Sequence, residues 1–376
     1  MQDYSVEQNL LSLSIFLFGW MVVFLIAHKN YREIVFTAFL YIWHTIFCIY
    51  YYLFSLENVA DSITYYRKII LDEGGFYPGT PFVTFLGSII YKPLAASYLN
   101  IFLFYNIAGA VALVLLYLIL KDYIKNRIWL LIFFLPSMSF WTSALGKDSI
   151  SFLAVCIFLY ALVNNQKKYI LLPLSFIFMF MVRPHIALCM IVAYGVFLLF
   201  KSRVHFILKL LLIPVLFGSM FVASGFVKDY VGLEEGSYDD VSAYVGQRQE
   251  LNLSGGSSID IASMSYPMQM FTYVFRPLPY ESHSLLAFIN SLENSLFLFL
   301  FLFLLYKSKI NLKFLFDNNN LLLLIYTLLV WSILAMTTAN LGIASRQKWM
   351  FMPILIYFLI YGMAKVNESS STMSRK

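Results

Sequence analysis

Residues 169–200 read YILLPLSFIFMFMVRPHIALCMIVAYGVFLLF, an apolar run of 32 residues interrupted once, by Arg183-Pro184-His185. One bilayer crossing needs about 20 apolar residues, so the run is long for one helix and short for two. Proline removes a backbone donor, and the sequence therefore predicts a helix break that leaves Arg183 and His185 at a membrane surface. A charged residue inside such a run raises the free energy of membrane insertion by about 2.5–3.5 kcal/mol. We therefore expect the residue to have a role that compensates for this cost. The alternative is an arginine that snorkels at a hairpin tip.

The composition of the whole chain is that of a membrane protein. Of its 376 residues, 61% are hydrophobic and 12% are charged, and its mean hydropathy is +0.76. Soluble domains carry about 25% charged residues. The net charge of +6 does not indicate nucleic-acid binding, because most basic residues fall in short loops. The three cysteines lie within apolar runs and follow neither a disulfide nor a metal-site pattern. Residues 1–9 are acidic where a cleavable signal peptide is basic, and they therefore do not resemble one.

Apolar segments predict an all-α fold, a polytopic integral membrane helical bundle. We expect about 11 transmembrane helices, in a range of 10 to 12, within a single transmembrane domain of residues 1–376. The weaker segment 81–97 contains Lys92-Pro93 and is predicted to be re-entrant or interfacial. The predicted spans lie near residues 10–27, 34–56, 98–120, 128–142, 149–163, 169–182, 186–200, 205–224, 285–306, 321–339 and 349–364.

The distribution of basic residues predicts how these spans are oriented. With the N-terminus outside and the C-terminus in the cytoplasm, the inside loops hold 16 of the 26 Lys and Arg residues. The long hydrophilic segment at about 225–284 then lies outside. It mixes Gly, Ser and acidic residues in its first half, which predicts an external loop.

Five basic clusters nevertheless fall on the outer face, where Lys and Arg should be scarce. Arginine presents a planar fork of donors that matches phosphate oxygens, and several cations are needed to hold a pyrophosphate. The same cations would stabilise a departing pyrophosphate. The sequence therefore predicts a site for a polyprenyl-pyrophosphate sugar carrier, lined by Lys147, Arg183, Arg276 and Arg346.

Glycosyl transfer from such a carrier also needs a base that accepts a proton from an acceptor hydroxyl. The sequence does not single out one base among Asp61, Asp148, His185, Glu281 and His283. Structural alternatives remain open for several of these positions. Lys147-Asp148 is alternatively an ion pair at a helix start, Arg346 with Lys348 a membrane anchor, and Glu293 a partner for a neighbouring helix.

Six short motifs follow one another in a fixed order between residues 60 and 350. They are Asp61 with Tyr65-Tyr66, Pro136-Ser137 through Lys147-Asp148, Arg183 to His185, Phe275 to Glu281, Leu292 to Asn294, and Asn340 through Arg346-Gln347. Their order and spacing resemble those of bacterial polysaccharide repeat-unit polymerases of the Wzy type. The early Asp61 followed by an aromatic pair also resembles the acidic loop of GT-C glycosyltransferases.

The resemblance implies a glycosyltransferase of the bacterial inner membrane that polymerises lipid-linked oligosaccharide units at the periplasmic face, for O antigen or capsule. It implies an undecaprenyl-pyrophosphate-linked oligosaccharide as substrate, a chain-length regulator as partner, and no cofactor or metal. The substrate-binding residues would be Lys147, Asp148, Arg183, His185, Arg276, Tyr280 and Arg346, with Tyr280 in a place where this group more often has an indole. The catalytic residues would be Asp61, Glu281 or His283.

Two other functions remain open from the sequence. A GT-C transferase that uses a polyprenyl-phosphate sugar would need an acidic pair, for which Asp61 and Asp72-Glu73 are the candidates. A flippase for the lipid-linked unit would need charges along a central cavity. For a polymerase, we expect Arg183→Ala and Arg276→Ala to abolish polymer while membrane insertion stays intact.

Overall fold

The computed structural model describes residues 5–27, 30–165, 167–200, 257–317 and 319–373, with isolated positions between 214 and 250. Over these residues the chain is helical, and an isolated bridge between Ser258 and Asn340 is its one pairing of extended backbone. The predicted all-α class is therefore confirmed. The predicted span at 205–224 and most of the first half of the loop at 225–284 lie outside the described residues.

Residues 1–183 form one compact unit, called unit 1. Helix α5 is its core, because α1, α2 and α7 all pack against it and its side chains are buried on every face. Backbones approach closely at Gly109 in α5, where a Cβ atom would lie 2.1 Å from the carbonyl oxygen of Thr142. The helices of unit 1 are α1 (Val6–Ala27), α2 (Tyr31–Glu57), α3 (Asp61–Ile70), α4 (Thr80–Leu94), α5 (Tyr98–Leu120), the 3₁₀ helix η1 (Arg127–Phe134), α6 (Pro136–Thr142), α7 (Lys147–Asn164) and α8 (Lys168–Val182).

Residues 184–376 form a second compact unit, called unit 2. Helix α12 packs against α9 and α10, while α11 packs against α14. The described helices of unit 2 are α9 (Pro184–Phe200), α10 (Tyr266–Phe275), η2 (Pro279–Glu281), α11 (Leu285–Lys307), η3 (Lys313–Phe316), α12 (Asn320–Thr337), α13 (Leu341–Gln347), η4 (Lys348–Met350) and α14 (Met352–Met373).

Six of the described helices are long and apolar enough to cross a membrane: α1, α2, α5, α7, α11 and α12. Residues 341–350 and 352–368 form a pair bent by 65°, which would make a seventh span if it is one broken crossing. The predicted spans at 128–142, 169–182 and 186–200 are shorter helices of 10–17 residues. The described residues therefore support a membrane-embedded helical bundle, and the expected count of about 11 spans is not confirmed.

The predicted helix break at the Arg-Pro-His motif is confirmed. Helix α8 ends at Val182 and α9 begins at Pro184, with Arg183 between them in a non-helical conformation. The Arg183 N–H still donates to the carbonyl oxygen of Met179 at 2.7 Å, while Pro184 occupies the first position of the next helix, where no N–H is needed.

Candidate functional site

Arg183 forms an ion pair with Asp148 inside unit 1. Its Nη2 donates to Oδ1 of Asp148 at 2.7 Å, and each side chain is 9% exposed. The pair forms because α7 and α8 are joined by a short turn and pack along their length, which brings the end of α8 beside the start of α7. Asp148 lies in the first turn of α7, where the helix dipole favours a carboxylate. Arg183 is therefore a buried side chain, paired with the start of α7.

The Arg183 guanidinium keeps hydrogen-bonding capacity beyond this ion pair. It carries five N–H donors, and its buried Nε has no hydrogen-bond partner among the described residues. A buried donor that is left unpaired costs about 1–3 kcal/mol. The ion pair therefore holds the guanidinium through Nη2 alone, and the adjacent Nε–H is a donor that Asp148 does not engage.

Tyr65 connects a second motif to this ion pair. A Cβ atom on Gly146 would lie 3.5 Å from Cε2 of Tyr65, so the tyrosine ring packs over the turn that precedes Lys147 and Asp148. Asp61, one helical turn before Tyr65, is exposed at the first position of α3. Unit 1 thus brings together the first two motifs of the resemblance and Arg183 of the third, with Asp61 exposed at the start of α3.

The second acidic site considered for a GT-C transferase lies at the surface of unit 1. Asp72 pairs with Lys92 at 2.8 Å, and Glu73 pairs with Lys68 at 3.7 Å. All four side chains are at least 40% exposed, and ion pairs of this kind contribute little to stability. Both carboxylates already face a lysine.

Arg276 and Glu281 form a clamp in unit 2. The Nε of Arg276 donates to both carboxylate oxygens of Glu281, at 2.9 and 3.1 Å, and its Nη2 donates to Oε1. The Leu278 N–H donates to Oε2 of Glu281 at 2.7 Å, which closes the loop on itself. Burial alone would raise the pKa of Glu281, but the hydrogen bonds from Arg276 and Leu278 and the arginine's charge outweigh it and hold this pKa below its ordinary value.

The clamp leaves one edge of the Arg276 guanidinium unused by Glu281. Side-on pairing engages Nε and Nη2, so the Nη1 donors lie on the edge away from the carboxylate. The Arg276 side chain is 25% exposed, and three hydrogen bonds to one carboxylate fix its orientation. Arg276 is therefore a partly exposed arginine that is already oriented.

Asn294 and Lys348 hold the base of this loop. Asn294 Nδ2 donates to the carbonyl oxygen of Pro277 at 3.3 Å, and its Oδ1 accepts from Lys348 Nζ at 2.6 Å. Lys348 Nζ also donates to Oδ1 of Asn290 at 3.2 Å, and the buried Glu293 supplies a negative charge nearby. The contacts of Asn294 thus join two motifs of the resemblance, Phe275 to Glu281 and Leu292 to Asn294, to Lys348, which directly follows the sixth motif.

Sequence reasoning treated Lys348 only as a membrane anchor and missed this arrangement. Lys348 is 1% exposed and lies directly after α13. A signal was present in the sequence, because Asn290, Glu293 and Asn294 are spaced i, i+3 and i+4 and form one polar stripe on an otherwise apolar helix. Such a stripe indicates a polar partner in the interior of the protein.

The remaining predicted residues lie outside the two ion pairs. Tyr280 and His283 are exposed on either side of Glu281, and Arg346 is partly buried in α13. His185 is partly buried in the first turn of α9. Among the described residues no group of three or more His, Cys, Asp or Glu side chains is placed to hold a metal ion.

The predicted site residues thus form two clusters, one within each unit. Unit 1 joins Asp148 to Arg183, beside Lys147, with Tyr65 packed over the preceding turn, and unit 2 joins Arg276 to Glu281 and, through Asn294, to Lys348. No protein-family model, curated protein or solved structure matches this chain.

Proposed function

We propose that this protein is an integral membrane glycosyltransferase of the polymerase type. It would transfer a growing glycan chain from one polyprenyl-pyrophosphate carrier onto the next lipid-linked repeat unit, and so build O antigen or capsular polysaccharide. The reaction would take place at the periplasmic face of the bacterial inner membrane. No nucleotide sugar takes part in this scheme, since the energy of transfer comes from the pyrophosphate leaving group.

The geometry of Arg276 carries this proposal. An arginine that is fixed by Glu281, partly exposed and left with Nη1 donors that Glu281 does not engage suits a phosphate group, which needs charge and directed hydrogen bonds. A fixed donor set also needs little reorganisation as negative charge develops on the leaving group. The loop that carries it is joined through Asn294 to a second motif of the resemblance and to Lys348, directly after a third.

The two ion pairs suggest different roles for the two arginines. Arg276 would contact the donor pyrophosphate directly, since its side chain is partly exposed. Arg183 is nine-tenths buried, and it would offer one donor, Nε, while it holds the start of α7 through Asp148. Lys147 and Arg346, both partly buried, would add positive charge near their own clusters.

Among the candidate bases, we assign to Asp61 the role of accepting the proton from the acceptor hydroxyl. The Glu281 carboxylate accepts three hydrogen bonds from Arg276 and one from Leu278, and its lowered pKa makes it a weaker base. Asp61 is exposed at a helix start, next to the motif that contacts the Lys147–Asp148 turn. His283, exposed after η2, is the other candidate.

The direct test is the surface-polysaccharide profile of the native host with this gene deleted and then restored. We expect deletion to reduce the ladder to core plus a single repeat unit, with recovery by the wild type and no recovery by Arg276→Ala. Lys365→Ala removes an exposed charge from the same unit and should restore the ladder fully. An unchanged ladder after deletion would overturn the proposal.

One observation favours a flippase as the second candidate. Residues 341–350 and 352–368 form a broken helix pair, and buried Lys348 lies at the break with Glu293 nearby. Broken helices and buried charges are features of transport pathways. A flippase predicts that deletion removes even the single repeat unit from the surface, and the same gel therefore separates the two functions.

A further inference from the structure

We propose that Lys348 is a positioning residue that sets the orientation of Arg276 through Asn294 and the carbonyl group of Pro277. Lys348 itself does not touch a ligand, because it is 1% exposed. The chain of contacts belongs to unit 2 alone. That the positioned arginine binds pyrophosphate rests on the proposed function, whereas the positioning chain does not.

The first step is the burial of the Lys348 ammonium group. Taking one charge out of water costs several kcal/mol even after relaxation, so its partners must be fixed. Lys348 Nζ donates to Asn294 Oδ1 at 2.6 Å and to Asn290 Oδ1 at 3.2 Å. A residue held in this way is a fixed donor inside the protein.

The second step is the direction of the Asn294 amide. Oxygen and nitrogen of an asparagine amide are nearly the same in shape, so packing alone does not decide which of them faces a neighbour. An ammonium group only donates, and Lys348 therefore selects the orientation with Oδ1 toward itself. This turns Nδ2 toward Pro277, where it donates to the carbonyl oxygen at 3.3 Å.

The third step carries this contact to Arg276. Proline has no N–H, so its carbonyl oxygen is the backbone hydrogen-bonding group by which residue 277 is held. The residues on either side of Pro277 are both bonded to Glu281, Arg276 through its side chain and Leu278 through its N–H. Loss of the Asn294 donor would release the middle of this loop, and the guanidinium would lose its fixed direction.

Hydrogen exchange of the full chain in nanodiscs tests the positioning chain directly. We expect Lys348→Met and Asn294→Asp to raise exchange at the Leu278 amide about tenfold or more, because the loop opens more often. Asn294→Asp is the sharper variant, since it keeps an acceptor for Lys348 but loses the donor to Pro277. Lys365→Met, which removes an exposed lysine of the same unit, should leave this exchange unchanged. Unchanged exchange at the Leu278 amide in Asn294→Asp overturns the proposal. This outcome is decisive even if the Lys348→Met protein does not accumulate.

Binding of inorganic pyrophosphate to the same samples tests what the positioning serves. We expect wild type and Lys365→Met to bind alike, and Asn294→Asp to bind about tenfold more weakly. Equal binding by Asn294→Asp and wild type overturns the positioning role even if exchange rises. Faster exchange in Asn294→Asp with no pyrophosphate binding by wild type supports the contact chain and overturns the proposed pyrophosphate site instead.

Discussion

Arg183 and Asp148 are 35 residues apart in the sequence, and the Nη2 of Arg183 lies 2.7 Å from Oδ1 of Asp148. The bond connects the end of α8 to the start of α7, with both side chains 9% exposed. The charge that interrupts residues 169–200 is therefore neutralised within unit 1. Removing one partner of such a buried ion pair destabilises a protein far more than replacing both partners with apolar residues.

We expect Asp148→Ala to lower the free energy of unfolding by about 3–5 kcal/mol, because Arg183 would remain buried without its counter-charge. Adding Arg183→Met to this variant should restore part of the loss. The measurement is thermal unfolding of the purified protein in detergent. Asp72→Ala, which breaks an exposed pair with Lys92, is the control and should cost less than about 1 kcal/mol. Equal losses in the two alanine variants would contradict the role given to burial.

This result changes what is expected of Arg183→Ala. From the sequence, with Arg183 at a surface, loss of polymer without loss of protein was the expectation. With Arg183 buried, part of any loss of polymer must be attributed to lower stability, since the variant loses the buried ion pair with Asp148. Arg276, which is partly exposed, is therefore the better residue for testing the proposed function.

The fold class and the helix break at Pro184 were predictable because both depend on local properties. A continuous apolar composition demands helices in a membrane, and proline favours the first turn of a helix over its interior, although α8 accommodates Pro173. The number of spans was not predictable in this way. Residues 128–142 are apolar enough for a span, but they form η1 and the seven-residue α6, separated just before Pro136. Whether such a segment crosses depends on tertiary contacts that composition does not contain.

The partners of the charged residues were also beyond the sequence. Arg276 and Glu281 belong to one motif, in which the sequence predicts a binding residue and a candidate base. In the structure they form an ion pair with each other. Two side chains five residues apart can meet across a closed loop or lie apart in an open one. The hydrogen bonds that close this loop are made by the Leu278 N–H and by the Asn294 side chain. The interior position of Lys348 follows from the turn between α13 and α14, which hydropathy alone does not indicate.

The Arg276–Glu281 clamp should make the stability of unit 2 depend on pH in one direction. Because the pKa of Glu281 is held below its ordinary value of 4.5, its ionised form stabilises the folded state at neutral pH. This contribution should be complete above that value and should be lost as pH falls through the lower folded value. We expect the difference in melting temperature between wild type and Glu281→Gln to be larger at pH 7 than at pH 4. A difference that stays constant, or a similar trend in the control Glu57→Gln, would contradict this.

Tyr280 is 82% exposed and suits a sugar ring better than a place in the core. We expect Tyr280→Ala to reduce the amount of polymer while the melting temperature stays within about 1 °C, because few contacts within the protein are lost. Tyr280→Phe keeps an aromatic face and should retain most of the polymer. Tyr169→Ala removes a tyrosine of similar exposure at the start of α8 and is the matched control. Equal polymer levels in Tyr280→Ala and Tyr169→Ala would remove Tyr280 from the proposed site.

Asp61→Asn tests the assignment of the base with little change in shape. The amide cannot accept a proton from an acceptor hydroxyl, so we expect the ladder to fall to a single repeat unit, a loss of at least about 100-fold in polymer. Stability should change by less than about 1 kcal/mol, because Asp61 is exposed and a carboxylate in the first turn of a helix contributes about 0.3–1 kcal/mol. Asp72→Asn, another exposed acid of unit 1, should leave the ladder intact. A full ladder in Asp61→Asn with loss of polymer in His283→Ala would move the base to His283, and a full ladder in both would leave neither residue as the base.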